Sequence, residues 1–164
     1  MHQRPPVAYF ITFATYGSRL PGDERGTASI GQNAYGDPGI GDQPGLAGYA
    51  RKIQAFPAVR LDQQMRIVVE TAIRERGAYR SWTLHALNVR TNHVHVVVTA
   101  EDESPELVMR SFKARATLLM RGQGIAGAGN AVWARRGSTR KAWTESDLLE
   151  IVDYVLYQQG PSLT

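Results

Sequence analysis

Valine alternates with polar residues near the middle of the chain, and this short pattern constrains the fold more than any other feature. Successive side chains of a β-strand point to opposite faces, so residues two apart share a face. The first face carries His93, His95, Val97 and Thr99, and the second carries Val94, Val96 and Val98. We expect a strand over 92–99 whose valine face packs against helices while its histidine face stays open.

The remaining periodicity predicts strands and helices in alternation. Helical spacing of apolar residues marks 61–76, with Gly77 as its end, and Ser104-Pro105 marks the start of a helix that runs to about residue 121. Thr144 with Asp147 predicts the start of a last helix, which ends before residue 160. Strands are predicted at 7–16, 79–89, 92–99 and 131–134. The order predicts an α+β fold: an antiparallel β-sheet with helices on one face.

A glycine-rich stretch interrupts this pattern after the first strand. Nine of the 16 glycines fall between residues 17 and 48, so we expect a long, mostly irregular insertion over 17–60. Loops of this length are often functional, and a tolerated surface insertion explains the composition equally well. With this insertion included, residues 1–164 are expected to form a single domain.

Composition narrows the class of protein. The 164 residues, 43% hydrophobic and 21% charged, suit one compact domain. No apolar run approaches the roughly 20 residues that span a bilayer, and no signal-peptide pattern is present, so a cytoplasmic protein is expected. The absence of cysteine excludes disulfides and thiolate-bound metals. The net charge of +4 favours a polyanionic partner, although a small enzyme with a solvated basic surface has the same composition.

Two histidines on one face of a strand are the first candidate for chemistry. Side by side on a rigid strand, His93 and His95 would supply two of the ligands of a divalent-metal site. The same spacing also occurs in hydrogen-bonded surface histidines, so the motif needs a third ligand and a reactive partner.

The predicted last helix offers both. Tyr154 and Gln158 are spaced i, i+4, on a flank that borders the apolar stripe, whereas Tyr157 falls nearly opposite that stripe. The spacing therefore favours Tyr154 over Tyr157 as a site residue, and the amide oxygen of Gln158 is a candidate third ligand. The alternative is an ordinary boundary tyrosine beside a solvated glutamine.

Together these motifs resemble a known family. The segment 92–97 (NHVHVV) is similar to the His-hydrophobic-His signature of HUH endonucleases, and 154–158 (YVLYQ) is similar to the Tyr-x-x-x-Gln element of their single-tyrosine transposases. These include small insertion-sequence transposases and REP-associated tyrosine transposases. Segments 9–13 (YFITF) and 84–89 (LHALNV) also look like that family, so the resemblance covers most of the chain outside the insertion.

The resemblance implies a ferredoxin-like antiparallel sheet, a homodimer, Mg²⁺ or Mn²⁺ as cofactor, and single-stranded DNA with hairpins as the partner. It implies that His93, His95 and Gln158 hold the metal and that Tyr154 is the nucleophile. Attack by this tyrosine on a phosphodiester would leave a 5′-phosphotyrosine and a free 3′-hydroxyl, so a new strand can be joined without ATP.

Candidate DNA contacts follow from clusters of positive charge. Cations and tryptophans alternate over 133–143, as in proteins that hold single strands by charge and stacking; a basic loop with two core tryptophans is the alternative. The second helix adds cations that track phosphates or form a solvated face. The candidates are Arg110, Lys113, Arg135, Arg136, Arg140 and Lys141.

Three rival functions share parts of this pattern. One is a domesticated DNA-hairpin-binding protein with little or no cleavage activity, and another is a metal-dependent hydrolase in which Tyr154 is structural. A third is a rolling-circle initiator or relaxase, which shares the two-histidine motif. The apparent nucleophile and metal ligands count against the first rival, and the short chain without a helicase segment favours the transposase over the third. The sequence leaves open whether Tyr154 acts within its own subunit or across a dimer.

Overall fold

The central strand of the sheet is the one that carries the alternating valines. The computed structural model describes residues 3–18, 56–126 and 130–163. In chain order it contains β1 (Ala8–Thr15), α1 (Gln63–Tyr79), β2 (Thr83–Val89), β3 (His93–Thr99), α2 (Pro105–Gly122), β4 (Trp133–Ala142) and α3 (Glu145–Tyr157). Most of the predicted insertion over 17–60 lies outside the described residues.

These strands form one four-stranded sheet in the order β2-β3-β1-β4, with every neighbouring pair antiparallel. The first six elements follow the β-α-β-β-α-β order of ferredoxin-like folds. Two of the connections join strands that are not neighbours in the sheet: β1 leads through α1 to β2, and β3 leads through α2 to β4. The predicted α+β fold with an antiparallel sheet is confirmed.

Two helices cover the valine face. Val94, Val96 and Val98 are fully buried, and they lie in one apolar cluster with residues of α1 and α2. The cluster joins Tyr9, Ile11 and Phe13 of β1 with Val69 and Ile73 of α1 and Val108, Phe112 and Met120 of α2. The alternation of β3 therefore decides where the main core lies.

The third helix lies on the opposite, histidine face. Its apolar stripe (Leu148, Ile151 and Val155) packs on Phe10 and Val97 in a second, smaller core. The expectation of helices on one face holds for α1 and α2 only, and the histidine face is partly covered rather than open. The reason is that Phe10 and Val97 are large apolar side chains, whose exposure to water is unfavourable.

Three predicted boundaries were wrong. Strand β2 begins at Thr83 rather than at residue 79, because Tyr79 still belongs to α1. Helix α1 continues through Gly77 to Tyr79, and this glycine is explained by packing, since a Cβ there would lie 3.3 Å from side-chain atoms of Leu84. Strand β4 covers 133–142 rather than 131–134. The charged residues of β4 do not form the alternating pattern that predicts a strand, yet β4 pairs with β1 along almost the whole length of β1.

The predicted helix starts at Ser104 and Thr144 are confirmed. Ser104 Oγ accepts a hydrogen bond from the backbone N–H of Leu107, with Pro105 in the first turn. Thr144 and Asp147 form a reciprocal capping box at the start of α3. Among the helices of the described residues, none is long and apolar enough to cross a bilayer.

A glycine in β4 is required by close packing, and this gives a stability test. A Cβ at Gly137 would lie 2.5 Å from the backbone oxygen of Thr12 and would clash with the sulfur of Met109. We expect Gly137→Ala to lower the free energy of unfolding by about 1–3 kcal/mol in urea titrations.

Gly122→Ala is the matched control, since no atom of the described residues outside the backbone of its own helix and its chain neighbours lies within 4 Å of a Cβ placed there. This variant should be as stable as the parent protein or slightly more stable. Equal stability of the Gly137 and Gly122 variants would contradict the packing argument.

Candidate active site

The two histidines of β3 lie side by side on the sheet face that α3 partly covers. The ring centroids of His93 and His95 are 4.7 Å apart. Because β3 lies between β2 and β1, each histidine has backbone on both sides, which fixes the direction of its side chain. Directly opposite His95 lie Asn88 of β2 and Thr12 of β1.

His95 is held from the β1 side. Its Nδ1 is 2.7 Å from the hydroxyl oxygen of Thr12, its ring centroid is 5.6 Å from that of Phe10, and only 6% of its surface is exposed. When Nδ1 donates to the hydroxyl, the lone pair of this histidine is on Nε2, the form that can bind a metal.

His93 is oriented by the residue before it. Its Nδ1 is 2.7 Å from Oδ1 of Asn92. An amide oxygen only accepts hydrogen bonds, so Nδ1 carries the proton and the lone pair is on Nε2. Hydrogen bonds to Nδ1 that fix the tautomer are typical of histidines that bind metals.

Tyr154 approaches the histidines from α3 of the same chain. Its ring centroid is 6.2 Å from that of His95 and 6.0 Å from that of Phe10, both in edge-to-face arrangements. Tyr157 is 76% exposed, as the helical spacing predicts. The structure therefore brings Tyr154, and not Tyr157, to the histidine face.

Gln158 lies at the end of the same helix and is exposed. Its amide nitrogen donates to Oδ2 of Asp153 at 2.8 Å. The amide is thus engaged by its own helix in this conformation, and its role as third ligand stays a prediction. Within the described ranges, no three His, Asp or Glu side chains cluster as a metal site.

Three residues of this site were missed in the sequence: Thr12, Asn88 and Asn92. The amide of Asn88 donates to the backbone oxygen of Val155 at 2.9 Å, which links β2 to α3. Strand alternation does place Thr12 on the same face of β1 as Phe10, and a single polar residue there was a usable signal. Which residues face the histidines across strands depends on register, which the sequence alone does not contain.

The candidate DNA-contact residues are dispersed. Lys113 donates from Nζ to the backbone oxygens of Ala134 and Arg136 at 3.0 and 3.3 Å, and burial lowers its pKa to about 8. Lys113 therefore links α2 to β4 through these two hydrogen bonds and is only partly exposed to solvent. Arg140 is half-buried on the histidine face, opposite Phe10. The exposed candidates are Arg110, Arg135, Arg136 and Lys141.

Two solved structures are similar to this chain. A candidate transposase from Deinococcus radiodurans R1 gives a TM-score of 0.53 at 11% identity, covering 98% of this chain and 97% of that chain. A REP-associated tyrosine transposase bound to a REP hairpin gives a TM-score of 0.49 at 14% identity, covering 94% of this chain and 69% of that chain.

No protein-family model and no curated protein sequence matches this chain. At 11% identity, the Deinococcus comparison shows a shared fold and leaves the chemistry to the site itself. The chain thus has a transposase-like fold, the fold of the Deinococcus radiodurans R1 protein described as a candidate transposase.

Proposed function

We propose that this protein cleaves and rejoins single-stranded DNA through a covalent bond to Tyr154, with a divalent metal held by the histidines. One observation carries the proposal: the Tyr154 ring lies 6.2 Å from the His95 ring within one chain. A phenol close to an imidazole that could hold a metal ion is an arrangement in which a tyrosine can be activated as a nucleophile. The transposase-like fold supports the same class of reaction.

The residues present fit Mg²⁺ or Mn²⁺ as the cofactor. Nδ1 of each histidine has a hydrogen-bond partner, Asn92 for His93 and Thr12 for His95, which would leave the lone pair of each ring on Nε2 for a metal ion. Gln158 would complete the protein ligands after its amide leaves Asp153. When bound, the ion would withdraw charge from a non-bridging phosphate oxygen and lower the barrier to attack.

Cleavage then follows from the position of the phenol. The oxygen of Tyr154 attacks phosphorus, the bond from phosphorus to the 3′ oxygen breaks, and the phenol proton passes through solvent to the departing 3′ oxygen. The products are a 5′-phosphotyrosine and a 3′-hydroxyl. Because one phosphate ester replaces another, a second 3′-hydroxyl can reverse the step on a new strand and release the tyrosine without ATP.

The preferred substrate and the assembly are proposals that rest on the resemblance. We propose DNA ends that carry hairpins, and a homodimer as the working form. The rival is a hairpin-binding protein with little cleavage, and the presence of Tyr154 beside the histidines argues against it, since binding alone requires no nucleophile there.

The nucleophile is tested by substitution. Incubation with hairpin-bearing single strands and Mn²⁺, followed by denaturation, should give a covalent protein–DNA adduct. Tyr154→Phe should abolish the adduct, because it removes the attacking oxygen and keeps the ring. The exposed Tyr157→Phe is the matched control and should retain it.

Each other outcome supports a different function. Cleavage without any adduct would refute the nucleophile assignment and favour a hydrolase. Hairpin binding without adduct or cleavage would favour the binding-protein rival.

The metal site is tested through the residue that orients His95. Thr12→Val keeps the shape of the side chain and removes the hydrogen bond to Nδ1. We expect it to weaken Mn²⁺ binding by about 10- to 100-fold in calorimetric titrations.

Thr71→Val, on the exposed side of α1, is the control and should leave Mn²⁺ binding unchanged. Equal affinity in the Thr12 and Thr71 variants would contradict a metal site at His95.

A further inference from the structure

The helix that carries Tyr154 is joined to the sheet by a hydrogen bond that has no part in the chemistry proposed above. The side-chain amide of Asn88 donates to the backbone oxygen of Val155, the residue next to Tyr154. Asn88 lies on β2 directly opposite His95. One bond thus connects the immediate neighbours of the two proposed reactive groups.

The accepting carbonyl lies near the C-terminal end of α3. α3 ends at Tyr157, so Val155 belongs to the last turn, whose carbonyls lack partners within the helix. The neighbouring oxygen of Tyr154 accepts from the backbone of Gln158 and the side chain of Gln159. Those donors belong to the same segment and move with it, whereas Asn88 belongs to the sheet.

Apolar packing alone fixes the position and rotation of α3 on the sheet less well than this hydrogen bond does. Val155 packs on small and β-branched side chains such as Ala86 and Val97, and such contacts have no preferred direction. A shift of α3 by one residue along its axis moves a side chain by about 1.5 Å and turns it by about 100°. An amide that is bonded to one particular carbonyl resists both movements.

We infer that Asn88 is a positioning residue that holds α3 in the register at which Tyr154 faces His95. This inference rests on the proposed function, because it assigns to Asn88 a share in the rate of the tyrosine's attack. It differs from a role in DNA binding: Asn88 is half-buried beneath the helix, so its loss should affect the covalent step and not the affinity for DNA.

The test compares Asn88→Leu with Arg90→Ala. Leucine has a similar shape but no donor. Arg90 donates to the backbone oxygen of Pro161, so its loss removes a bond between the same hairpin and the segment after α3. The first readout is the rate of adduct formation at saturating hairpin DNA with Mn²⁺, and the second is the dissociation constant for the same DNA.

Asn88→Leu should slow adduct formation at saturation by roughly 2- to 12-fold, because the loss of one net hydrogen bond lowers the population of the productive register by that factor. Its dissociation constant should stay within a factor of about two. Arg90→Ala should leave both values near those of the parent protein. An unchanged rate in Asn88→Leu, or equal losses in the two variants, would overturn the inference.

A third readout separates this inference from the proposed function. Amide hydrogen exchange over 154–158 should be roughly 2- to 12-fold faster in Asn88→Leu, which corresponds to the loss of one net hydrogen bond. If the parent protein forms no adduct, the proposed function fails, and faster exchange would still support the hold of Asn88 on α3. Unchanged exchange would overturn the hold itself.

Discussion

The two faces of strand β3 need different surroundings, because one is apolar and the other carries histidines that need hydrogen-bond partners. The rest of the structure follows from that constraint. The three valines of one face (Val94, Val96 and Val98) are fully buried under α1 and α2. Its other face is mixed, with the apolar Val97 beside the polar His95. One helix cannot cover both kinds of residue equally well, because burying an imidazole requires hydrogen-bond partners that an apolar helix face lacks.

The histidine face accordingly carries two different rows of residues, each of which runs across all four strands. One transverse row is apolar at its centre, with Ala86, Val97 and Phe10, and α3 packs over it. The next row is polar, and it runs Asn88, His95, Thr12, Ser138. Tyr154 lies over the boundary, in contact with Phe10 on one side and His95 on the other. The candidate site thus begins where the apolar cover ends.

Local patterns in the sequence were sufficient for much of this arrangement. Two-residue spacing grouped His93 with His95, and the position of each tyrosine relative to the apolar stripe of the last helix separated Tyr154 from Tyr157. Contacts between distant segments could not be predicted in this way: strand register makes Thr12 and Asn88 neighbours of His95, and the face on which α3 packs depends on apolar residues of four different strands. β4 was underestimated because a charged edge strand lacks the alternation that marks a half-buried one.

The charged character of β4 has a further consequence, for self-association. β4 is an edge of the sheet, and its outer backbone groups have no neighbouring strand within the described fold. Such edges invite strands of other copies to pair with them, and natural proteins counter this with charge. Arg135, Arg136 and Lys141 are all exposed on β4. Two copies brought together along this edge would repel each other, so the cations protect the sheet from uncontrolled extension.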